Sequence, residues 1–242
     1  MEKIKYISAL VVAVLVIATI MPGCLKLQKD FTRSTTDTLD ANLNKTAWAY
    51  LKSRAYNNAT PGDTIFRRMY DAIIYSGIDT NEYTKPNRTF IFLNNAAVYA
   101  VDSKTKVIVP TCVWGAVYTS ANKTGTSWKS YPAADVKNYL YYLILNGVYS
   151  HYNLPINDVS AATLLAPGAY ATNPVNFNFR VPVFVPNPTS TMLIKVLNAS
   201  PSNTSDYPIQ LNGAYNVNTS DLLATNGVVN VMTSFVSPNL PQ

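Results

Sequence analysis

Histidine, cysteine and glutamate are almost absent from this sequence. The 242 residues contain one histidine, His151, and two glutamates, Glu2 and Glu82. A catalytic triad requires a histidine beside a nucleophile and a carboxylate, and zinc sites draw most of their ligands from His and Cys. A phosphate-binding glycine motif is also missing. We therefore expect a protein that is not an enzyme and that holds no metal ion.

Charged residues are scarce too, at 13 % of the chain against 48 % hydrophobic residues. The formal net charge is +6, but lysine and arginine are scattered and form no run of the kind that a nucleic-acid groove requires. Arg67-Arg68 falls in a helical pattern, which explains this basic pair without a ligand. We expect one globular domain of roughly 200 residues and no nucleic-acid partner.

A basic and then apolar segment begins the chain. Lys3 and Lys5 precede the apolar run Ile7–Ile20, which is typical of an export signal and short for a membrane span. Met21-Pro22-Gly23-Cys24 follows and resembles a bacterial lipobox. The resemblance implies that residues 1–23 are a lipoprotein signal peptide and that Cys24 carries a covalent lipid, with no other cofactor. The alternative is an ordinary signal peptide that happens to end near a cysteine.

Residues 24–44 are predicted to form the lipidated N-terminus and a flexible tether, because they are polar and have few apolar positions. Leu25 after the cysteine resembles outer-membrane sorting, and Lys29-Asp30 resembles a surface-export signal of Bacteroidetes lipoproteins. Asp37-Thr38-Leu39 resembles an O-glycosylation pattern of the same bacteria, so Thr38 is a candidate modification site. These resemblances imply a protein of the outer membrane that is lipid-anchored at the cell surface.

Periodicity within residues 45–242 predicts a domain that contains both helices and strands. One helix is expected over Thr46–Arg54, a second from an N-cap at Asp63 to Gly77, and a third over Pro132–Leu140. The predicted strand-like runs are Thr89–Leu93, Lys106–Ser120, Val175–Val185, Thr191–Ala199, Pro208–Gly213 and Tyr215–Val217. Cys112 lies in an apolar run, which predicts a buried thiol without catalytic function.

The strongest local signal lies near the end of the chain. Asn226-Gly227 is typical of a type I′ hairpin turn, since both residues tolerate the positive φ that this turn needs. An apolar run from Val228 to Val236 follows with the composition of a strand. Asp221, just before Leu222, is interpreted as the cap of one helical turn. The expected structure is a hairpin whose second strand is largely buried.

This terminal segment, Asp221–Pro238, resembles the end of fasciclin-like adhesion domains. The family's first signature is matched at Thr89, Asn95 and Ala97, and its usual Pro and Thr are replaced by Leu93 and Asn94. The resemblance implies the α+β fold of that family, which is a fasciclin-like β-sandwich with a few helices packed at one end. It covers about residues 45–240.

The family's central Tyr-His element is matched only in part. Tyr142, Gly147 and Tyr149 agree with it, but Leu143 stands where the family has histidine. In some animal relatives this Tyr-His neighbourhood is associated with receptor-mediated adhesion. The departure at Leu143 therefore argues against transferring that particular activity to this chain.

Aromatic residues are the candidates for binding. Trp114 and Trp128 flank a polar loop in the region 99–131, which is longer than the family resemblance implies. Either this region is a hairpin insertion that carries a binding site, or both tryptophans simply pack on the sheet. His151 lies near tyrosines and belongs either to an exposed aromatic patch or to a packed surface. The candidate binding residues are Trp114, Trp128, Tyr142, Tyr149 and His151.

Two functions fit this sequence. The first is a surface or outer-membrane lipoprotein whose non-catalytic domain binds a protein or glycan partner in cell adhesion or macromolecule binding. Abundant Tyr and Asn suit such contacts, since tyrosine offers a large contact area at low entropy cost. The alternative is an accessory lipoprotein subunit of a SusCD-like nutrient-uptake complex, docked on an outer-membrane barrel.

Overall fold

Helices and strands both contribute to this protein, which has the α+β composition that the sequence predicts. The computed structural model describes residues 41–56, 63–197 and 207–240. The predicted signal peptide (1–23), Cys24 and Thr38 lie outside these residues. The described α-helices are α1 (Ala47–Ser53), α2 (Arg67–Ser76), α3 (Asn95–Val98), α4 (Val113–Ala116) and α5 (Ala133–Tyr142), with 3-10 turns at Thr80–Tyr83 and Trp128–Ser130. Within the described ranges no helix has the length and apolar character needed to cross a membrane.

Ten strands are described, and eight of them form two four-stranded sheets. The strands are β1 (Arg88–Leu93), β2 (Val117–Tyr118), β3 (Ile144–Asn146), β4 (Val159–Ala162), β5 (Asn178–Phe179), β6 (Thr191–Val196), β7 (Ile209–Leu211), β8 (Tyr215–Asn216), β9 (Thr219–Ala224) and β10 (Gly227–Met232). The first sheet has the order β3-β1-β10-β9 and the second the order β4-β6-β7-β8, while β2 pairs with β5. An isolated bridge between Leu145 in β3 and Thr163, directly after β4, connects the two four-stranded sheets.

The centre of the first sheet is a parallel pair of strands from distant parts of the chain. Arg88 in β1 lies opposite Gly227 in β10, and the register continues to Leu93 opposite Met232. Thr89 to Leu93 are all buried, as expected for a central strand that is covered on both faces. α1 packs on β10 and α2 packs on α5, so the helices close the core over this sheet.

The predicted terminal hairpin is present, but its turn lies one residue earlier than the sequence pattern indicates. Ala224 pairs with Gly227, so the two turn residues are Thr225 and Asn226, and Gly227 begins β10. Gly227 has a φ of 153°, and a Cβ atom there would lie 2.0 Å from the Arg88 carbonyl oxygen. The glycine is therefore required by the close approach of β1 rather than by the turn.

Asn226 uses its side chain to join three segments. Its Oδ1 accepts a hydrogen bond from the Ala47 N–H at 2.8 Å, which satisfies a free donor at the start of α1. Its Nδ2 donates to the carbonyl oxygens of Tyr83 (3.0 Å) and Lys85 (3.1 Å). Asn226 is buried, so these bonds are shielded from water and fix the hairpin end to the helical layer.

We expect Asn226→Ala to lower the free energy of unfolding by about 3 kcal/mol, because it leaves buried backbone groups without partners. Urea unfolding followed by circular dichroism measures the change. Asn216→Ala is the matched control, since Asn216 is exposed and should change stability by less than about 0.5 kcal/mol. Equal effects of the two substitutions would contradict the role given to Asn226.

The prediction of a helical cap at Asp221 is wrong. Asp221 lies inside β9, where the pairing with β10 shifts register between Val229 and Val231. It has a φ of 56° and its N–H donates to Asn230 Oδ1 at 3.1 Å. The extra residue of this β-bulge turns the Asp221 carboxylate towards His151 instead of a helix N-terminus.

The last residues of the predicted tether lie against the edge of the first sheet. Leu43 donates its N–H to the Leu223 carbonyl oxygen (2.9 Å), and the Leu223 N–H donates to Ala41 (2.8 Å). The edge strand β9 offers unpaired backbone groups, and this segment satisfies them in a parallel bridge at Asn42. Ordered structure therefore extends back at least to Ala41, so residues 41–44 belong to the domain.

Three further local predictions are wrong. Val175–Val185 forms a strand only at Asn178–Phe179, since Pro182 cannot donate to a ladder. The run Lys106–Ser120 contains helix α4 and only two strand residues. Asp63 does not cap a helix, because α2 begins at Arg67 and the Asp63 carboxylate accepts from Arg54 Nε at 2.8 Å. Asn95 Oδ1 accepts the Arg68 N–H in the first turn of α2 instead (3.0 Å).

The core contains tyrosines whose hydroxyl groups have unequal surroundings. Tyr142 accepts a hydrogen bond from Asn212 Nδ2 at 2.7 Å and donates to Thr191 O at 3.3 Å. The hydroxyl of Tyr83 is buried without a partner among the described residues. A buried hydroxyl without a hydrogen bond destabilises the folded state, because it has lost its contact with water.

We expect Tyr83→Phe to raise the free energy of unfolding by about 1 kcal/mol, since it removes this unpaired hydroxyl. Tyr142→Phe should lower it by about 1 to 2 kcal/mol, because Asn212 loses its acceptor. Chemical unfolding of both variants tests the contrast. Destabilisation of the same size in both would show that the Tyr83 hydroxyl has a partner.

Candidate binding cleft beside Trp114 and Trp128

Two of the tryptophans singled out from the sequence lie in direct contact. The ring centroids of Trp114 and Trp128 are 6.0 Å apart at an interplanar angle of 76°, an edge-to-face pair of the kind worth about 0.5 to 1.5 kcal/mol. Their exposed fractions are 8 % and 5 %. Both indoles are therefore mainly core residues, as the structural alternative predicts, and only their edges reach the surface.

The loop before Trp128 is held by local hydrogen bonds. Ser127 and Ser130 form a capping box around the 3-10 turn that Trp128 begins. Gly125 donates its N–H to the Tyr131 hydroxyl at 3.1 Å, and a Cβ at Gly125 would lie 2.3 Å from that oxygen. Trp128 Nε1 donates to the Arg68 carbonyl oxygen at 2.8 Å, which fastens the loop to α2.

A cleft of about 280 Å³ opens between α2 and this loop. Its lining combines aromatic, cationic, acidic and hydroxyl side chains: Arg68, Asp71, Tyr75, Trp114, Ser127, Trp128 and Lys129. Tyr75 is fixed because its hydroxyl donates to the Tyr131 carbonyl oxygen at 2.7 Å. Tyr75 and the two tryptophans therefore border the cleft in positions that are set by the fold.

The cations of the cleft have no acidic partner within the described part of the chain. The Arg68 guanidinium lies 5.0 Å from the Tyr99 ring centroid and 5.9 Å from that of Trp114, and Nη1 donates to Asn95 O at 3.3 Å. Lys129 is exposed. These contacts orient Arg68 by cation–π attraction without neutralising its charge.

The carboxylate of the cleft is engaged by residues next to it. Asp71 Oδ1 accepts from Arg67 Nε at 3.2 Å and from the Tyr56 hydroxyl at 3.1 Å. The Arg67 guanidinium also lies 3.8 Å from the Tyr56 ring centroid. Because Arg67 balances Asp71, the charges of Arg68 and Lys129 give the cleft a net positive character.

Two other candidates from the sequence have structural contacts. Tyr142 is fully buried, and its hydroxyl joins α5 to β6 by a hydrogen bond to the Thr191 carbonyl oxygen. Its side chain is therefore not accessible to a binding partner. Tyr149 is half-buried, its N–H donates to Thr89 Oγ1 at 2.8 Å, and its ring lies 3.2 Å from where a Cβ of Gly147 would be. The Gly147-x-Tyr149 pattern is thus explained by packing.

His151 is held at both ring nitrogens. Nδ1 lies 2.8 Å from Asp221 Oδ2, and Nε2 lies 2.6 Å from the Tyr207 carbonyl oxygen. Both ring nitrogens are therefore engaged within the domain. These contacts fasten the loop after β3 to β9.

Other chemistry-bearing residues are dispersed. Among the described residues no group of three or more His, Cys, Asp or Glu side chains lies close enough to hold a metal ion. Cys112 is buried, as predicted, and its thiol donates to the Val109 carbonyl oxygen at 3.1 Å. A second cavity of about 340 Å³ has Arg180 as its one charged lining residue, whereas the Trp114–Trp128 cleft is lined by two cations and a carboxylate.

No protein-family model matches this chain, and no curated protein matches it at a significant level.

Proposed function

We propose that this protein is a lipid-anchored outer-membrane lipoprotein at the cell surface, with a non-catalytic fasciclin-like domain that binds macromolecules in cell adhesion. The observation that carries this proposal is the cleft with its aromatic floor, beside which Arg68 and Lys129 lie without acidic partners among the described residues. Rigid aromatic and arginine side chains are the groups that most often dominate the energy of recognition.

The proposed fasciclin-like β-sandwich has support from the sheet topology. The strand that matches the family's first signature, β1, pairs with β10 of the matching terminal hairpin. The two four-stranded sheets are bridged at Leu145 and Thr163, and apolar side chains of both contribute to one core. Helices α1, α2 and α5 supply further residues of that core.

The anchor and the surface location rest on the lipobox Met21-Pro22-Gly23-Cys24. Lipid chains contribute about 0.8 kcal/mol for each buried CH₂ group, so several chains on Cys24 hold a protein stably at a bilayer. The non-catalytic assignment is supported by His151, whose two ring nitrogens are both engaged. Glycan or protein partners at the cell surface fit this arrangement.

The alternative function, an accessory subunit docked on an outer-membrane nutrient-uptake barrel, has one supporting observation. The loop after β3 exposes the apolar side chains of Val148, Tyr152 and Ile156, and Tyr152 is 89 % exposed. Exposed apolar side chains on one loop are candidates for a docking contact. This loop lies outside the cleft lining, so the two candidate functions use different surfaces.

A charge reversal tests binding through the cleft. We expect Lys129→Glu to weaken attachment of the purified protein to its target cells or matrix by about tenfold, since it replaces attraction by repulsion. Lys104→Glu is the matched control, because Lys104 is an exposed lysine outside the cleft lining. Attachment that is insensitive to Lys129→Glu would remove the cleft from the proposal.

Recovery from native outer membranes in mild detergent separates the two functions. A barrel protein recovered at about one to one would favour the accessory subunit, and Tyr152→Ser should then weaken that complex. Recovery of the protein alone, from an extract in which other membrane complexes survive, would favour adhesion.

A further inference from the structure

The cleft lining offers three kinds of contact within a small volume. The exposed edges of Trp114 and Trp128 form an apolar floor, Arg68 and Lys129 carry positive charge, and Ser127 and Asp71 supply hydroxyl and carboxylate oxygens. An apolar floor favours a ligand with an apolar face, because such a face gains by leaving water. The charges and oxygens favour a ligand that is both anionic and rich in hydrogen-bond donors.

Arg68 is suited to a carboxylate. A guanidinium has five N–H donors in a fixed plane and matches the two oxygens of a carboxylate. The one hydrogen bond from the Arg68 guanidinium to a described residue goes from Nη1 to Asn95 O, and the contacts with Tyr99 and Trp114 restrict its orientation. The Arg68 side chain therefore loses less conformational entropy when a carboxylate ligand binds to it.

Asp71 adds a requirement for hydroxyl groups. Its carboxylate accepts hydrogen bonds from ligand hydroxyls. Ser127 can donate or accept in the same way. A ligand that fits must therefore place its negative charge at Arg68 and Lys129 and its hydroxyl groups near Asp71.

We propose that the cleft binds a uronic-acid residue of an acidic polysaccharide. Such a sugar has one carboxylate, several hydroxyls and an apolar C–H face, so a single residue meets all three requirements of the lining. The volume of about 280 Å³ is just below the range of small-ligand pockets, which span roughly 300 to 1,000 Å³. It therefore accommodates one sugar residue while the rest of the polymer runs over the surface.

This inference rests on the proposed binding function and gives it a ligand class. The test is calorimetric titration of the full-length protein with a short oligogalacturonate and with the same oligosaccharide after reduction of its carboxyl groups. We expect binding of the first and a loss of about tenfold or more on reduction, because the charged hydrogen bonds disappear.

Protein variants test the geometry. Arg68→Gln should weaken oligogalacturonate binding about tenfold or more, and Lys129→Gln about two- to fivefold, because the exposed lysine is screened by solvent. Lys104→Gln removes the same charge outside the cleft lining and should leave the affinity unchanged. Thermal unfolding shows whether the Arg68→Gln variant is folded. If it is not, the Lys129→Gln variant and the reduced oligosaccharide test the proposed site instead.

Three results would overturn the inference: no binding of oligogalacturonate, equal binding of its reduced form, or tighter binding of a sulfated oligosaccharide or a poly-glutamate peptide. Failure of the proposed function looks different. Cell attachment that persists in an Arg68→Gln, Lys129→Gln double variant that no longer binds oligogalacturonate would show that adhesion does not use the cleft. Oligogalacturonate binding by a protein that is recovered with a barrel would keep the site and replace adhesion by nutrient capture.

Discussion

Raising the pH above about 10 is expected to unfold this protein cooperatively. Tyr83, Tyr139, Tyr142 and Tyr170 are buried, and burial raises the pKa of each phenol above its ordinary value because the ionised form is poorly solvated inside the protein. The folded state therefore holds these protons more tightly than the unfolded state does. Stability is fully present below the unfolded pKa of about 10 and is lost as the pH rises above it.

The size of this effect follows from proton linkage. Each such tyrosine lowers the free energy of unfolding by about 1.4 kcal/mol per pH unit above 10 until its folded pKa is reached. Four of them remove the usual 5 to 15 kcal/mol of stability within about one to three pH units. Phenolate absorbance and far-ultraviolet circular dichroism, recorded on the same samples, should show ionisation and unfolding in one transition.

Two variants control this experiment. Tyr170→Phe removes one of the buried phenols, so it should make the pH dependence above 10 less steep and move the transition to higher pH. Tyr152→Phe removes an exposed phenol and should leave the transition in place. Complete tyrosine ionisation with an unchanged circular dichroism spectrum would contradict the prediction.

Gly227→Ala is expected to lower the free energy of unfolding by about 4 kcal/mol. The added methyl group would lie 2.0 Å from the Arg88 carbonyl oxygen, and the backbone there has a φ of 153° that alanine adopts only with strain. Overpacking and backbone strain each cost about 1 to 3 kcal/mol. The contact lies at the start of the β1–β10 pair, so the strands must separate to relieve it. Urea unfolding measures the loss.

Gly77→Ala separates strain from overpacking. Gly77 ends α2 with a φ of 63°, and a Cβ atom there would have nothing within 4 Å. The expected loss is about 1 kcal/mol, which is the cost of the left-handed conformation alone. If Gly77→Ala and Gly227→Ala were equally destabilising, the close approach of β1 would not be the reason for the glycine.

The sequence predicts several elements correctly because their signals are local. Gly77 at the end of α2 and the short helix predicted within Thr46–Arg54 depend on the neighbouring turn of backbone. The terminal hairpin is predicted for the same reason. The sequence pattern places the turn one residue too late, because it does not include the hydrogen bonds of the Asn226 side chain with Ala47, Tyr83 and Lys85, which are far away in the sequence.

Residues that pair over long distances explain the main errors. Asp63 and Asp221 both match local cap patterns, but their carboxylates bind Arg54 and His151. The alternation of Val175–Val185 is real at Phe177 and Phe179, which are buried. The alternation does not continue on either side of these two residues, because proline lacks the backbone N–H that would donate to a neighbouring strand. Val175 and Val183 are exposed as a result.

The candidate cleft was predictable only in part. Its two tryptophans stand out by their size and by the polar loop between them. Arg68 does not stand out in the sequence, because a basic pair on a helix usually lies on a solvent-exposed face and binds nothing. Its importance comes from what the fold places around it, namely two aromatic rings and Lys129, while it forms no ion pair with a described carboxylate.

The parallel pairing of β1 with β10 also has a consequence for how the chain is made. Arg88 lies opposite Gly227, so the middle of the first sheet cannot form until residues 227–232 have been synthesised. The loop-closure entropy of the 138 residues between these two positions opposes the contact before the contact stabilises the fold. The centre of this sheet therefore stays open in a nascent chain until β10 arrives, as the export proposed above would require.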